Sequence, residues 1–424
     1  MTTPNLLQTT LAGAASSPPL SPLWTLDGLR AADPVLGLAL LLLVAVLIAE
    51  ALHRAWRLPR ACGHMLTGAI AGPVLLRLLD SADLDPWKPL IDLAIAALVF
   101  ELGSRIRPRW LVDNPWLALG CVLQAVLCGS AVAVVLMGFG APGLSAAVAG
   151  TVALATSPVI VLTVVHELRS RGQVTERLLM MTVINSVIAV LGLKVLRVLV
   201  ASDAETLGAE WLQAVSDALW VTSGSFLLGV VAGFALDRLS PLVRATPAMP
   251  VLQIALVIVA SMLATQWMLS PLLALLVAGM TARARMGHAL TVEPHLGSAG
   301  AALNVLLFIA IGLLLGVDGA LRLWPWALAI IAARLVATGL AVGALARVSG
   351  LGWRQATALS VALQPMSSLA VLLAADSFAW PVQWPGIDTN ALQALLLAIT
   401  LMQLSGPVWT QLALQRIARE VQPG

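Results

Sequence analysis

Long hydrophobic stretches follow one another along almost the whole chain, broken by short polar connections. A run of about eighteen apolar residues is enough for a helix to cross the hydrocarbon core of a bilayer. Thirteen such segments can be marked, near 35–53, 61–79, 89–104, 116–137, 144–165, 178–200, 212–236, 251–267, 271–284, 299–317, 324–346, 355–375 and 391–414. The connections place Gly and Pro at many turns, as in GFGAPG at 138–143. The pattern predicts an all-α multi-pass membrane protein with 13 transmembrane helices. MTTPNLLQTTLAGAASSPPLSPLW lacks the basic start and apolar core of a signal peptide, so residues 1–34 read as a disordered external tail. Residues 415–424 read as a short cytoplasmic tail.

Composition agrees with this reading: 59% of residues are hydrophobic and 11% charged, where a soluble domain is closer to a quarter charged. A net charge of +3 gives no reason to expect nucleic acid as a partner; the expected surroundings are a lipid bilayer. The placement of charge says more. One set of alternate connections, with the C-terminus, holds 17 of the 24 Lys and Arg residues, and the opposite set holds six. The positive-inside rule then puts the N-terminus outside and the C-terminus in the cytoplasm of a bacterial-type inner (plasma) membrane. An odd number of spans agrees with termini on opposite sides. Cys62, Cys121 and Cys128 show no metal spacing. There is no phosphate loop or nucleophile–base constellation, so neither an enzyme, a metal nor a cofactor is expected.

The sequence also repeats at an offset of about 210 residues. HMLTGAIAGP at 64–73 matches LLVAGMTARA at 275–284, setting Gly68 against Gly279, 211 apart. LVFELG at 98–103 matches LLFIAIG at 306–312, with Phe100 and Phe308 differing by 208. ATSPVIVL at 155–162 matches ALQPMSSL at 362–369, with Pro158 and Pro365 differing by 207. Two six-helix repeats, 35–200 and 251–414, fit this spacing, with a linker helix inside 201–250. The linker adds a crossing, so equivalent helices run in opposite directions, an inverted repeat of the kind common in secondary transporters. Pro158 and Pro365 each fall inside the fifth span of their half. Proline removes a backbone donor and clashes one turn back. Polar residues flank both: Thr156 and Ser157 in one half, Gln364 and Ser368 in the other. The two segments read as discontinuous helices whose ends form an ion site at mid-membrane, or as ordinary proline kinks.

Two further features sit at membrane depth. MMTVINSVIAVLGLK at 180–194 holds the polar pair Asn185-Ser186 without a charge. Arg334, in AIIAARLVATGLAV, lies ten residues into its span, about 15 Å from the outer end at 1.5 Å per residue. Its partner could be carbonyls at a helix break, a substrate anion, or a carboxylate from elsewhere. Glu50, Asp92 and Glu101 read as charges near helix ends reaching the membrane interface. His53, His64, His166, His288 and His295 read as surface histidines on the cytoplasmic side.

RLPRACGHMLTGAIAGP at 57–73, LVFELG, TSPVIVLTVVHELRSRG at 156–172 and INSVIAV at 184–190 resemble the monovalent cation:proton antiporter superfamily, in its potassium-efflux-type branch. The resemblance covers residues 35–414. It implies a homodimer. It also implies a core domain of the fourth to sixth and eleventh to thirteenth helices, moving elevator-fashion against a dimerisation domain of the first three and the eighth to tenth. A sixth-helix pair ending in aspartate would then bind cation and proton in turn. Here Ser186 stands where that acid belongs, and Met366-Ser367-Ser368 replaces the family's charged run after the second break. The reading is a secondary transporter working by alternating access on a small inorganic ion or solute, for which the resemblance implies a monovalent cation, and whose proton coupling lacks its carboxylate. The alternatives are an anion or neutral-solute transporter using Arg334, and a transport-inactive sensor or partner subunit.

Overall fold

A computed structural model describes residues 34–421, apart from 73–74, 79–80, 106–113, 202–206, 244–247, 287–296, 314–319, 368–369, 372, 375–376 and 378–387. The expected external tail over 1–33 lies outside the described residues. The described chain is helical, with no strand beyond isolated bridges. In order the helices are α1 (Pro34–Trp56), α2 (Arg60–Ala71), a 3-10 turn (Ser81–Trp87), α3 (Lys88–Arg105), α4 (Pro115–Gly138), α5 (Gly143–Val152), α6 (Pro158–Leu168) and α7 (Gln173–Ala201). They continue with α8 (Leu207–Val243), α9 (Met249–Gln266), α10 (Pro271–Met286), α11 (Gly297–Leu313), α12 (Trp324–Ala346), α13 (Trp353–Ala362) and α14 (Thr389–Leu412). α1, α4, α6 and α10 begin on proline, whose fixed φ and missing N–H suit a first helical position. Seven of the described helices are long and apolar enough to cross a membrane. Leu43, Leu47, Val126, Leu242 and Leu340 remain exposed, as side chains facing lipid would. The chain is a multi-pass integral membrane protein.

Some spans differ from the apolar text. The segment expected at 61–79 ends as a helix at Ala71, because Gly72-Pro73 follows and proline disfavours helix in the residue before it. The segment expected at 212–236 lengthens to Leu207–Val243 in α8. The segment expected at 144–165 is two helices, α5 and α6.

The helices fall into two packed groups. α1, α2 and α11 pack together, as do α3, α8, α9 and α10, and α3 also meets α11. The second group gathers α4, α5, α7, α12, α13 and α14, with α6 against α7 and α14. The groups meet where α2 and α3 lie on α6, α2 on α14, and α7 on α8. The closest approaches in the first group are made by glycines. A Cβ on Gly68 of α2 would stand 2.2 Å from the Ile309 carbonyl oxygen, and one on Gly279 of α10 would stand 2.1 Å from the Phe100 carbonyl oxygen. Backbone cannot yield as a side-chain tip does. Gly68→Ala is therefore expected to push α2 off α11 at about 1–3 kcal/mol, more than the helix-propensity gain of about 1 kcal/mol. A lower thermal unfolding midpoint of the purified variant is the expected result; an unchanged midpoint would show that the contact relaxes freely.

The segment from Ile417 to Glu420 is tied down. Glu420 accepts hydrogen bonds from the Val174 and Thr175 backbone N–H groups and the Thr175 hydroxyl, each at 2.8 Å. A carboxylate there caps the positive end of α7. Arg354 Nε donates to the Ile417 carbonyl at 2.6 Å, fixing the same segment to α13.

Candidate functional site

α5 stops at Val152, and Ala155, Thr156 and Ser157 run without helical structure before α6 starts, Ser157 in an extended conformation. Pro158 cannot continue the hydrogen-bond ladder of α5 but fits the first position of a new helix. Ser157 caps that helix, its Oγ accepting from Ile160 N at 3.2 Å. α13 stops in the same way at Ala362, and residues 364–367 lead out of it without helical structure. The two interruptions cross antiparallel, bridging Thr156 to Met366. Ser157 N donates to Pro365 O at 2.9 Å, and Ser367 N donates to Ala155 O at 3.1 Å. Unpaired backbone groups at membrane depth cost several kcal/mol each. Each break supplies the partners that the other lacks. Thr156, Ser157, Gln364 and Ser367 are all buried. Ser368 lies outside the described residues.

α7 brings Asn185 and Ser186 to the crossing, both fully buried. Ser186 Oγ is 2.9 Å from Thr156 O and 3.0 Å from Thr182 O, so its single proton serves one carbonyl at a time. Asn185 Nδ2 is 3.4 Å from Thr156 Oγ1. Two acceptors remain without a partner, Asn185 Oδ1 and Gln364 Oε1. Gln364 Nε2 donates back to Ser360 O at 2.9 Å, anchoring that side chain to α13.

Arg334 reaches the crossing from α12. Its Nη2 lies 3.5 Å from Leu363 O and 3.4 Å from Gln364 O, both long contacts to carbonyls at the end of α13. Nε and Nη1 have no hydrogen-bond partner. The Cys128 side chain of α4 lies beside the guanidinium. Among the described residues no carboxylate forms an ion pair with Arg334. No group of three or more His, Cys, Asp or Glu side chains could hold a metal among them either. The structure thus brings Thr156, Ser157, Pro158, Asn185, Ser186, Arg334, Gln364 and Pro365 to one place. That place offers neutral oxygens and one buried cation. It has no titratable acid among the described residues.

Three sequence readings fail away from the crossing. His64 is not a surface histidine: it is buried within α2. Glu101 does not reach the membrane interface: it is buried, 2% exposed, between helices. His166 is not merely a surface histidine, for its Nε2 lies 2.8 Å from Glu101 Oε1. No motif announces this contact, which joins α3 to α6 across 65 residues (166 − 101) of sequence. The available signal was weaker, an acid four residues before the end of its helix with an apolar residue on either side.

The family model for the sodium/hydrogen exchanger transmembrane region matches residues 39–415. Solved structures of the sodium proton antiporter MjNhaP1 from Methanocaldococcus jannaschii are similar in fold. One at pH 8 gives a TM-score of 0.66 at 15% identity, over 91% of this chain and 98% of that one. An electron-microscopy structure of the same antiporter gives 0.71 at 14% identity, over 92% and 99%. No curated protein matches the sequence.

Proposed function

The chain belongs to the sodium/hydrogen exchanger family, and from that premise we propose that it is a secondary transporter moving a monovalent cation by alternating access. The observation that carries this reading is the crossing itself. Asn185 Oδ1 and Gln364 Oε1 are buried acceptors without donors, beside Thr156 Oγ1 on an interrupted segment. Neutral oxygens of this kind can replace the hydration shell of a small cation. The proton has no matching place among the described residues, because none of them at the crossing changes charge when it binds one. Cation movement at this site therefore runs without stoichiometric proton exchange.

The finer architecture belongs to the same proposal. Thirteen spans form two inverted six-helix repeats about the linker helix α8, with the N-terminus outside and the C-terminus in the cytoplasm of a bacterial-type inner membrane. The paired glycine contacts support the repeat: α2 meets α11 at Gly68 as α10 meets α3 at Gly279. The two packed groups support a core that slides, elevator-fashion, against a scaffold that forms a homodimer. The resemblance of RLPRACGHMLTGAIAGP and LVFELG supports a place in the potassium-efflux-type branch.

A second reading has its own observation. The buried guanidinium of Arg334 keeps two nitrogens without partners, and an anion or a neutral solute with acceptor oxygens could fill them. Proteoliposomes test both readings. Saturable uptake of radiolabelled sodium or rubidium is expected, with no cation-driven pH change in the lumen. Uptake of chloride or another anion in place of the cations would establish the second reading. Robust cation-driven proton movement would overturn the uncoupled site.

A further inference from the structure

The polar groups at the crossing are unmet in two opposite senses. Asn185 Oδ1 and Gln364 Oε1 are acceptors without donors, while Arg334 Nε and Nη1 are donors without acceptors. All three side chains are no more than 2% exposed. The two sets do not satisfy each other. Gln364 Nε2 donates to Ser360 O at 2.9 Å, and Asn185 Nδ2 faces Thr156 Oγ1 at 3.4 Å. Arg334 turns Nη2 to the backbone instead, 3.5 Å from Leu363 O and 3.4 Å from Gln364 O. Buried polar groups are normally partnered. A cation among the amide oxygens leaves the guanidinium nitrogens unmet. An anion on the guanidinium leaves the amide oxygens unmet. Two ligands of opposite charge meet both needs.

Charge leads to the same pair. Among the described residues no carboxylate forms an ion pair with Arg334. The carbonyls of Leu363 and Gln364 bring the negative end of α13, equivalent to about half an elementary charge. Cys128 lies beside the guanidinium, and a thiol sulfur is only a weak acceptor. Neither balances a full positive charge. A cation entering alone adds a second positive charge at a buried place, where like charges repel strongly. One singly charged anion on Arg334 removes that repulsion, and full burial restricts it to a small ion.

We propose that the crossing binds a small monovalent anion on Arg334 and a monovalent cation on the oxygens of Asn185 and Gln364 at the same time, and carries the two across as a pair. The cation half of this rests on the alternating-access reading above. The anion is one with concentrated charge and few atoms, a halide, nitrate, formate or bicarbonate. Each ion needs the other, which separates the pair from a cation moving alone and from an anion moving in its place. Loaded and empty cores carry the same net charge, so the cycle is electroneutral.

Uptake of radiolabelled sodium into proteoliposomes tests the pair, with chloride, nitrate, formate or bicarbonate compared against the bulkier gluconate. For at least one small anion the wild-type KM for sodium is expected to fall about tenfold below its value in gluconate, as the repulsion is offset. Labelled uptake of that anion should fall about tenfold or more when N-methylglucamine replaces sodium, since the anion then lacks its partner. A membrane potential set with potassium and valinomycin should change paired uptake less than about twofold, because no net charge crosses. Arg334→Met should hold sodium KM at the low value in every medium, about tenfold below the wild type in gluconate. Its anion uptake should be lost, and its sodium uptake should follow the potential. Wild-type sodium uptake that ignores every small anion would overturn the pair and leave the cation reading intact. Anion uptake that ignores sodium would overturn both. The second readout needs no transport: thermal unfolding midpoints in detergent at constant ionic strength. Sodium and the small anion together should raise the wild-type midpoint by more than the sum of their separate effects, and Arg334→Met should show only the sum. A merely additive effect in the wild type would mean that water alone meets these groups, and would overturn the pair. If nothing is transported while the excess stabilisation is present, the paired site stands and the transport reading fails.

Discussion

Arg334→Met is expected to tighten cation binding at the crossing, lowering KM for the transported cation about tenfold. The reason is charge. The oxygens around Asn185 and Gln364 are neutral, and the only described charge at the crossing is the guanidinium of Arg334. Two like charges on the order of 8 Å apart at an effective dielectric constant of about 20 repel by about 2 kcal/mol. Methionine fills comparable volume with a flexible apolar chain. Its cost is the loss of the donor to Leu363 O and Gln364 O, about 1–3 kcal/mol for buried acceptors left unmet. Removing a buried cation that has no ionic partner offsets part of that. The variant should therefore fold, with a modest change in unfolding midpoint. The concentration dependence of sodium and rubidium uptake checks the prediction. If the cargo is an anion, the same substitution instead abolishes uptake, by a factor on the order of 100 or more. A cation KM unchanged within about twofold would mean that the guanidinium does not sense the site.

The parts of this arrangement visible in the sequence are those where a residue type is costly anywhere else. Proline inside an apolar run has no ladder position to occupy, so Pro158 and Pro365 mark where the chain leaves the helix. A serine just before such a proline is a helix-start signal, and Ser157 serves as one. An arginine ten residues into a span cannot face lipid, which draws attention to Arg334. Hydrophobic text is enough for a helical membrane protein because lipid admits few alternatives.

What the sequence conceals is set by distance along the chain. The pairing of Ser157 with Pro365 and of Ser367 with Ala155 joins segments about 210 residues apart. Periodicity within either segment says nothing of it. The Glu101–His166 contact is hidden for a related reason. An acid near a helix end usually reaches the interface, and only the packing of α3 on α6 decides that this one does not. Helix ends are blurred as well, since α2 stops at Ala71 while its apolar character continues. The clamp of Glu420 on α7 is equally long-range, bringing a carboxylate to the start of a helix that begins 247 residues earlier (420 − 173).

If the crossing is the uncoupled cation site proposed above, Ser186→Asp is expected to convert it into a proton-exchanging one. Ser186 Oγ stands between two carbonyl oxygens, Thr156 O at 2.9 Å and Thr182 O at 3.0 Å. A carboxyl in that place, fully buried, keeps its proton while the pocket is empty, because the protonated form can donate to either carbonyl and the ionised form faces both without a donor. A cation settling among the oxygens of Thr156, Asn185 and Gln364 reverses that preference, and the proton leaves. The nitrogens of Arg334 without partners would steady the ionised state where the side chains approach. Cation-driven acidification or alkalinisation of proteoliposomes, read with a trapped pH dye, should rise from background to about tenfold above it. Ser186→Asn, similar in volume to aspartate and unable to release a proton, should stay at background. The two variants share the cost of enlarging a packed side chain, about 1–3 kcal/mol, so their unfolding midpoints control for damage to the fold. A folded Ser186→Asp protein that moves cations without moving protons would mean that position 186 does not border the cation. The crossing would then owe its neutrality to structure rather than to the loss of an exchange function.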